Sequence, residues 1–308
     1  MSKIVDLHCD TISAIYEKEE PLFTNSLHFD IKRAMQASIM IQFFALFTMP
    51  KEPSIALKEI LKQVDLYYQE LNRNSLYLYH VNSMADINEN NGQDRIGCIL
   101  HLEGGDAIGE DPALLRILYQ LGLRSMGLTW NNRNQLADGI GEGEKAGGLS
   151  KLGRKIVQVM DEMGILLDLS HIAEKGFFEA LEYYTKPILV THANARALCS
   201  HPRNLTDSQI KALAQNGGVI GVNQVSDFIK EGKITIDDLL DHIMYIGDLI
   251  GIEHVALGSD FDGADDILLP GIEAYAGWEE YLQGRGLNQK EIQMITRDNA
   301  LRVISRVI

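Results

Sequence analysis

Five short motifs place a histidine or a carboxylate directly after a run of apolar, mostly β-branched residues. They are His8-Cys9-Asp10, Glu103-Gly104-Gly105, Ser170-His171, Thr191-His192 and the loop 258–263, which carries Asp260 and Asp262. With Asp260 taken from the last loop, three imidazoles and three carboxylates form the mixed ligand set that suits zinc. Because these groups outnumber the protein ligands of a single catalytic zinc, they predict two metal ions with a bridging carboxylate.

The chemistry expected of such a site is hydrolysis. Two zinc ions about 3.5–4 Å apart hold a hydroxide, lower its pKa and polarise a carbonyl, as cleavage of an amide, an ester or a phosphoester requires. Asp260 is not required as a ligand, so we expect it to pass a proton from the nucleophile to the leaving amine. Arg203, in His201-Pro202-Arg203-Asn204, is the best-placed cation to bind a substrate carboxylate with its forked guanidinium.

Each motif taken alone has an ordinary structural explanation. A single histidine is usually a hydrogen-bonded structural residue, Glu103 before two glycines could be a turn residue, and Asp260 with Asp262 could lie in a solvated loop. Only the joint pattern favours a metal site. His101, two residues before Glu103, is expected to support a ligand. The remaining histidines are predicted to be structural or exposed: His28, His80, His201, His242 and His254.

The elements that must position these residues alternate between strands and helices. Eight strand-like runs cover residues 4–7, 38–46, 96–102, 125–129, 165–169, 188–191, 219–222 and 255–258. Most are continuously apolar, as in a parallel sheet covered on both faces. Eight strands favour a (β/α)₈ barrel over an open doubly wound sheet. Because sites are built at the carboxyl ends of barrel strands, the five motifs are expected to meet there.

The helical stretches and the domain organisation agree with a barrel. Residues 54–72, 150–163, 208–215 and 236–250 repeat apolar side chains at helical spacing, and the tail 288–308 is predicted to be one amphipathic helix. No Pro/Ser-rich linker divides the chain. The prediction is one metal-dependent hydrolase domain, residues 1–308, of α/β class: a TIM-type barrel with extra C-terminal helices.

Composition excludes several other classes of protein. The 308 residues carry a net charge of −15, which argues against nucleic acid and anionic membranes as partners. Three widely spaced cysteines favour a reducing compartment over a disulfide framework. The N-terminus has no pattern of a secretory signal, and the longest apolar stretch, residues 39–47, is far shorter than the roughly 20 residues of a transmembrane helix. We expect a soluble, cytoplasmic protein.

Taken together, the motifs resemble those of the renal (membrane) dipeptidase family of zinc peptidases, in its bacterial soluble form. The matching stretches follow one another in family order over nearly the whole chain. They are residues 5–10, 102–105, 168–171, 191–196, 201–204, 217–223, 258–263 and 298–303.

The resemblance implies an amidohydrolase-type barrel with two zinc ions. His8 and Asp10 would bind one ion, His171 and His192 the other, and Glu103 would bridge them. Asp260 would transfer the proton and Arg203 would hold the substrate carboxylate. The family hydrolyses dipeptides, often with a D-residue at the C-terminal side, and commonly forms homodimers.

One position departs from the family pattern. Where mammalian members have a histidine in a Leu-Thr-His pattern, this chain reads Leu128-Thr129-Trp130-Asn131-Asn132. The indole of Trp130 is only a neutral donor, so Asn131 or Asn132 is a candidate to supply a polar contact instead. Trp130, Asn131 and Asn223 are predicted to contact the substrate.

Three functions therefore remain to be separated. The first is a dizinc dipeptidase that uses a metal-bridging hydroxide. The second, motivated by Trp130, is a related metal hydrolase of another amide, such as an acylated amino acid or a lactam. The third is a catalytically silent barrel used for binding, which the complete ligand set disfavours.

Overall fold

Residues 2–308 are described by a computed structural model, and their strands form a closed barrel. The strands in this range are β1 (Ile4–Cys9), β2 (Ile39–Leu46), β3 (Leu78–His80), β4 (Ile96–Leu102), β5 (Leu123–Gly127), β6 (Leu166–Asp168), β7 (Leu189–Ala193), β8 (Val219–Val222) and β9 (Val255–Leu257). Eight of them pair in parallel around a ring in chain order, with β9 pairing back to β1, and β3 pairs in parallel with β4 alone. The predicted (β/α)₈ barrel is confirmed.

Helices surround the barrel and cover its ends. The α-helices of residues 2–308 are α1 (Thr11–Lys18), α2 (Ile31–Gln36), α3 (Pro53–Arg73), α4 (Met84–Glu89), α5 (Pro112–Gln120), α6 (Lys151–Met163), α7 (Glu174–Tyr183), α8 (Asp207–Asn216), α9 (Ser226–Ile229), α10 (Ile236–Ile250), α11 (Trp278–Gly284), α12 (Gln289–Gln293) and α13 (Asn299–Val307). Short 3₁₀ turns occur at Asp106–Ile108, Ile140–Lys145, Ile252–His254 and Ile272–Gly277.

Capping residues and apolar spacing determine the ends of two long helices, α6 and α10. Helix α6 starts after Ser150, whose Oγ accepts from the backbone N–H of Gly153, and ends at Gly164 in a left-handed conformation with φ 71°. Helix α10 has the bounds that its apolar spacing predicted. These signals depend on neighbouring residues alone, which is why the sequence located both helices.

Several elements differ from the sequence prediction, among them strand β3 and the C-terminal tail. Strand β3 was not predicted, because its three residues are defined by their pairing with the first residues of β4, a tertiary contact that no local pattern shows. The tail is not one regular α-helix, because Met294–Asp298 forms a π-helical turn between α12 and α13. Within this turn Thr296 Oγ1 donates to the Ile292 carbonyl at 2.8 Å, a side-chain bond of the kind that bends helices.

The barrel interior is apolar at one end and polar at the other. One apolar cluster joins side chains from strands on opposite sides of the ring with helix α13, and so fills the barrel towards the starts of the strands; it includes Val5, Leu7, Ile41, Phe43, Ile99, Leu166, Leu189, Val219, Ala256, Val303 and Ile304. The buried polar side chains of the predicted site, among them His8, Glu103 and His192, lie at the carboxyl ends of the strands.

Two further expectations concern the chain as a whole. Cys9, Cys98 and Cys199 are buried and unpaired, in agreement with the absence of a disulfide framework. Within residues 2–308, none of the helices combines the length and apolar character that crossing a membrane demands.

Candidate active site

The five motifs meet at one end of the barrel, as predicted. His8 is the next-to-last residue of strand β1 and Asp10 follows that strand; Glu103 directly follows β4. His192 lies in β7, whereas His171 and Asp260 come three residues after β6 and β9. All six side chains are buried. Because the carboxyl ends of parallel barrel strands face the same side, residues up to 252 positions apart in sequence become neighbours.

Glu103 occupies the centre of this group. Its Oε1 atom lies 2.8 Å from His171 Nε2 and 3.7 Å from His192 Nε2. Its Oε2 atom lies 3.6 Å from His8 Nε2. The two carboxylate oxygens therefore face different imidazoles, which is the arrangement that a bridging carboxylate requires.

His8 and Asp10 form the other half of the group. His8 Nε2 lies 3.2 Å from Asp10 Oδ2 and 3.9 Å from Asp260 Oδ1. Two sets of ligand atoms are mutually close enough to hold a metal ion: His8 with Glu103 and His192, and His8 with Asp10 and Asp260. Asp260 thus lies within reach of a metal position, although the sequence had assigned it no part as a ligand.

Hydrogen bonds orient two of the imidazoles. His171 Nδ1 lies 2.8 Å from Asn131 Oδ1, and His192 Nδ1 lies 2.8 Å from Thr191 Oγ1. The two Nε2 atoms approach each other to 2.8 Å. When the Nδ1 atom of a neutral imidazole carries the proton, its Nε2 atom presents a lone pair, so this pair suits a shared cation.

The electrostatics of the site also suit divalent cations. Burial, reinforced by the neighbouring Asp10, raises the pKa of Glu103 to about 8. Burial likewise raises the pKa of Asp260. Asp10 Oδ1 is buried and has no hydrogen-bond partner among residues 2–308. Buried carboxylates in such proximity are costly unless a positive charge compensates them, and the donor set therefore fits metal ions.

The imidazoles respond to the same surroundings in different ways. Burial opposes protonation of His8, but Glu103 and Asp10 outweigh it and raise its pKa well above the ordinary value. For His171 and His192 burial is again the largest effect, and nearby cationic groups add to it, so both pKa values fall well below normal. His171 and His192 are thus neutral, the form that binds metals.

Arg203 reaches the site but is more engaged than the sequence suggested. Its guanidinium donates to the backbone carbonyls of Ser170 and His192, the latter at 3.2 Å, and its Nη2 atom lies 3.2 Å from His171 Nε2. The side chain is 5% exposed and lines the cleft in front of the metal-ligand group. It is the cation that the sequence placed there, now anchored by the backbone.

The other predicted substrate contacts separate into two kinds. Trp130 and Asn131 line the cleft of about 660 Å³, and the ring centroid of Trp130 lies 6.2 Å from that of His171. Asn223 instead donates from Nδ2 to Asp260 Oδ2 at 2.9 Å. Asn223 is buried, and its side chain contacts the candidate proton-transfer residue Asp260.

Sequence reasoning missed several supporting residues. Asp168 accepts hydrogen bonds from the Ser170 and Thr191 hydroxyls, and Asp6 accepts from the backbone and the hydroxyl of Ser259. Both aspartates belong to the matched stretches, which was the available signal. His101, expected to support a ligand, lies with its ring centroid 5.4 Å from that of His8.

Asp262 has different hydrogen-bond partners from Asp260, although the two share a loop. It accepts from Thr11 Oγ1 at 2.6 Å and from the backbone N–H of His28 at 2.7 Å. His28 in turn lines the cleft with Asp262. The acidic pair of the last loop therefore divides into one residue at the ligand group and one that holds the wall of the cleft.

Comparison with known proteins shows which family the chain resembles. The profile of the membrane dipeptidase family (peptidase family M19) matches residues 1–308. The chain is 31% identical to dipeptidase aclJ of Aspergillus oryzae over 90% of this chain and 69% of that protein. It is 33% identical to an uncharacterised dipeptidase of Schizosaccharomyces pombe over 85% and 69% of the two chains.

Solved structures share the fold. A metallopeptidase from Rhodobacter sphaeroides, solved with a phosphinate mimic of the dipeptide L-Ala-D-Ala, superposes with a TM-score of 0.92 at 23% identity, over 100% of this chain and 99% of that one. A dipeptidase of family M19 gives a TM-score of 0.93 at 24% identity, over 99% and 98%. The chain belongs to the membrane dipeptidase family, peptidase family M19, and the prediction of a metallo-dipeptidase is confirmed at the level of that family.

Proposed function

We propose that the protein is a dizinc dipeptidase. The observation that carries the proposal is the placement of Glu103 between His8 on one side and His171 and His192 on the other. His8 and Asp10 would hold one ion, His171 and His192 the other, and Glu103 both. When bound, the ions supply an activated water and withdraw electrons from the scissile carbonyl.

The residues around the ligands have distinct parts in this reaction. Asp260 takes the proton that the attacking water loses, and it delivers a proton to the amine nitrogen as the carbon–nitrogen bond breaks. Asn223 holds Asp260 Oδ2 by its 2.9 Å hydrogen bond, so the other oxygen, Oδ1, remains directed towards His8. A carboxylate and a free amine leave, which balances the addition of one water.

Arg203 orients the substrate in this proposal. A dipeptide carries a carboxylate at its C-terminal end, and Arg203 is a buried cation beside the ligand group in a chain of net charge −15. A guanidinium held by backbone carbonyls loses little freedom when an anion binds. This favours substrates with a free C-terminal carboxylate over longer or blocked peptides.

Trp130 supports a second candidate, the hydrolysis of another amide such as an acylated amino acid or a lactam. Its indole stands in the cleft where mammalian relatives carry a histidine, and its centroid lies 5.4 Å from that of Phe47. Two aromatic rings in the cleft favour an apolar acyl group.

The deciding experiment is a substrate panel with zinc-loaded enzyme. We expect turnover of L,L- or L,D-dipeptides, and two zinc ions per chain by metal analysis. Greater turnover of N-acyl amino acids or lactams would select the second candidate. If protein with two bound zinc ions turns over no member of either panel, both candidate activities are refuted and the catalytically silent barrel remains. The predicted homodimer is a separate question, answered by light scattering of the same sample.

A further inference from the structure

We propose that Asn131 is a positioning residue for the metal ligand His171, rather than a contact to the substrate. Asn131 would hold the imidazole by Nδ1 so that Nε2 faces Glu103. The inference rests on the proposed metal site and deepens it, because it assigns a residue outside the ligand set to the second ion.

The hydrogen bond between Asn131 and His171 determines which ring nitrogen carries the proton. Asn131 Oδ1 lies 2.8 Å from His171 Nδ1, and an amide oxygen can only accept. Nδ1 therefore carries the proton, and the lone pair of the neutral ring is on Nε2. That atom lies 2.8 Å from Glu103 Oε1 and 2.8 Å from His192 Nε2. The contact thus directs the lone pair towards the other two candidate ligands of the same ion.

Backbone hydrogen bonds hold both partners of this contact in place. The amide N–H of Gly141 donates to the Asn131 carbonyl at 2.7 Å, and the N–H of Ile140 donates to the His171 carbonyl at 2.8 Å. One short segment, residues 139–141, therefore fastens both partners. A Cβ atom at Gly139 would collide with the backbone of Asn131, so only glycine permits this approach.

The neighbours of Asn131 have different surroundings. Trp130 contacts Phe47 in the cleft, whereas Asn132 is exposed. Asn132 is thus a control of the same residue type at the next position. A carboxylate partner on a metal-ligating imidazole serves the same purpose as an amide oxygen, which makes Asn131→Asp the conservative replacement.

The test measures zinc binding directly, by competition with a chromophoric chelator, on the full-length protein. Loss of an outer partner of a ligand costs on the order of 10–100-fold in metal affinity. We expect that loss for one of the two ions in Asn131→Leu, and wild-type affinity in Asn131→Asp and Asn132→Leu. Cobalt-loaded samples should show an altered visible absorption spectrum in Asn131→Leu alone. Asn131→Ala repeats the measurement with a smaller side chain if the leucine variant does not fold.

The outcomes separate this inference from its premise. Wild-type affinity for both ions in Asn131→Leu or Asn131→Ala would overturn it. So would equal loss in Asn131→Asp, since an acceptor would then be of no use. A KM increase for dipeptides at saturating zinc, with metal affinity unchanged, would make Asn131 a substrate contact. Failure of the wild-type protein to bind two ions would instead refute the dizinc proposal.

Discussion

The replacement Asp260→Asn tests the proton-transfer step with little disturbance of the fold. Asp260 adopts a left-handed backbone conformation with φ 62°, which asparagine tolerates nearly as well as aspartate. The amide has the same shape as the carboxyl group, and its oxygen can still accept from Asn223 Nδ2. The change therefore removes the proton-accepting oxygen while keeping the local contacts.

The expected loss follows from the part given to this carboxylate. A positioned general acid–base contributes about 10²–10⁴-fold in rate, or about 2.7–5.4 kcal/mol at about 1.36 kcal/mol per tenfold. We expect kcat for dipeptides to fall within this range and KM to change little, because Arg203 holds the substrate. Since a buried carboxylate whose pKa burial raises is replaced by a neutral group, the free energy of unfolding should not decrease by more than about 1 kcal/mol.

Asp262→Asn is the matched control. Asp262 has the same residue type, the same loop and a similar backbone conformation, with φ 67°. Its oxygens accept from Thr11 and His28 instead of facing His8. We expect this variant to keep near-wild-type kcat, with at most a small loss of stability. Asp260→Ala is the less informative variant, because alanine in a left-handed conformation adds about 1–2 kcal/mol of backbone cost.

The assay combines steady-state kinetics with metal analysis of the same sample. Asp260→Asn with wild-type kcat and two bound zinc ions would refute the proton-transfer role. A loss of activity together with loss of one ion would also refute it. In that case Asp260 would act as a ligand, as its grouping with His8 and Asp10 permits.

Three further perturbations follow from the structure. Arg203→Lys should lower kcat/KM for dipeptides by about 10–100-fold, since a charged hydrogen bond contributes about 1.5–3 kcal/mol. The loss should be far smaller for dipeptide amides, which have no C-terminal carboxylate, and equal losses on both substrates would contradict the carboxylate contact. Removal of zinc by a chelator should lower Tm. If free zinc was 1,000-fold above Kd, the free energy of unfolding should fall by about 4 kcal/mol per site. An unchanged Tm would argue against metal binding to the folded state. Burial, with Arg124 adding to it, lowers the pKa of His80 from 6.5 to about 4, so the protein should lose up to about 3 kcal/mol of stability as pH falls through that interval. The free energy of unfolding of His80→Gln, measured in urea, should depend less on pH, and pH profiles identical to those of the wild type would contradict this assignment.

The sequence alone was sufficient for the barrel and for the candidate ligands. Continuous apolar runs mark buried parallel strands, and the five chemical motifs follow such runs directly. Closing the strands into a ring then brings His8, Glu103 and His192 together whatever the intervening loops do. Helix bounds such as those of α10 were equally accessible, because periodicity and capping depend on residues within one or two turns.

Tertiary structure decided how the site residues contact one another. The bond between Asn131 and His171 joins positions 40 apart in the chain, and the contact between Asn223 and Asp260 joins positions 37 apart. The same holds for strand β3, which exists through its pairing with β4, and for Arg203, whose guanidinium is held by two backbone carbonyls. Local sequence specifies which side chain is available and at which strand end it lies. Its partner depends on the packing of loops that are distant in sequence, and no local periodicity encodes that packing.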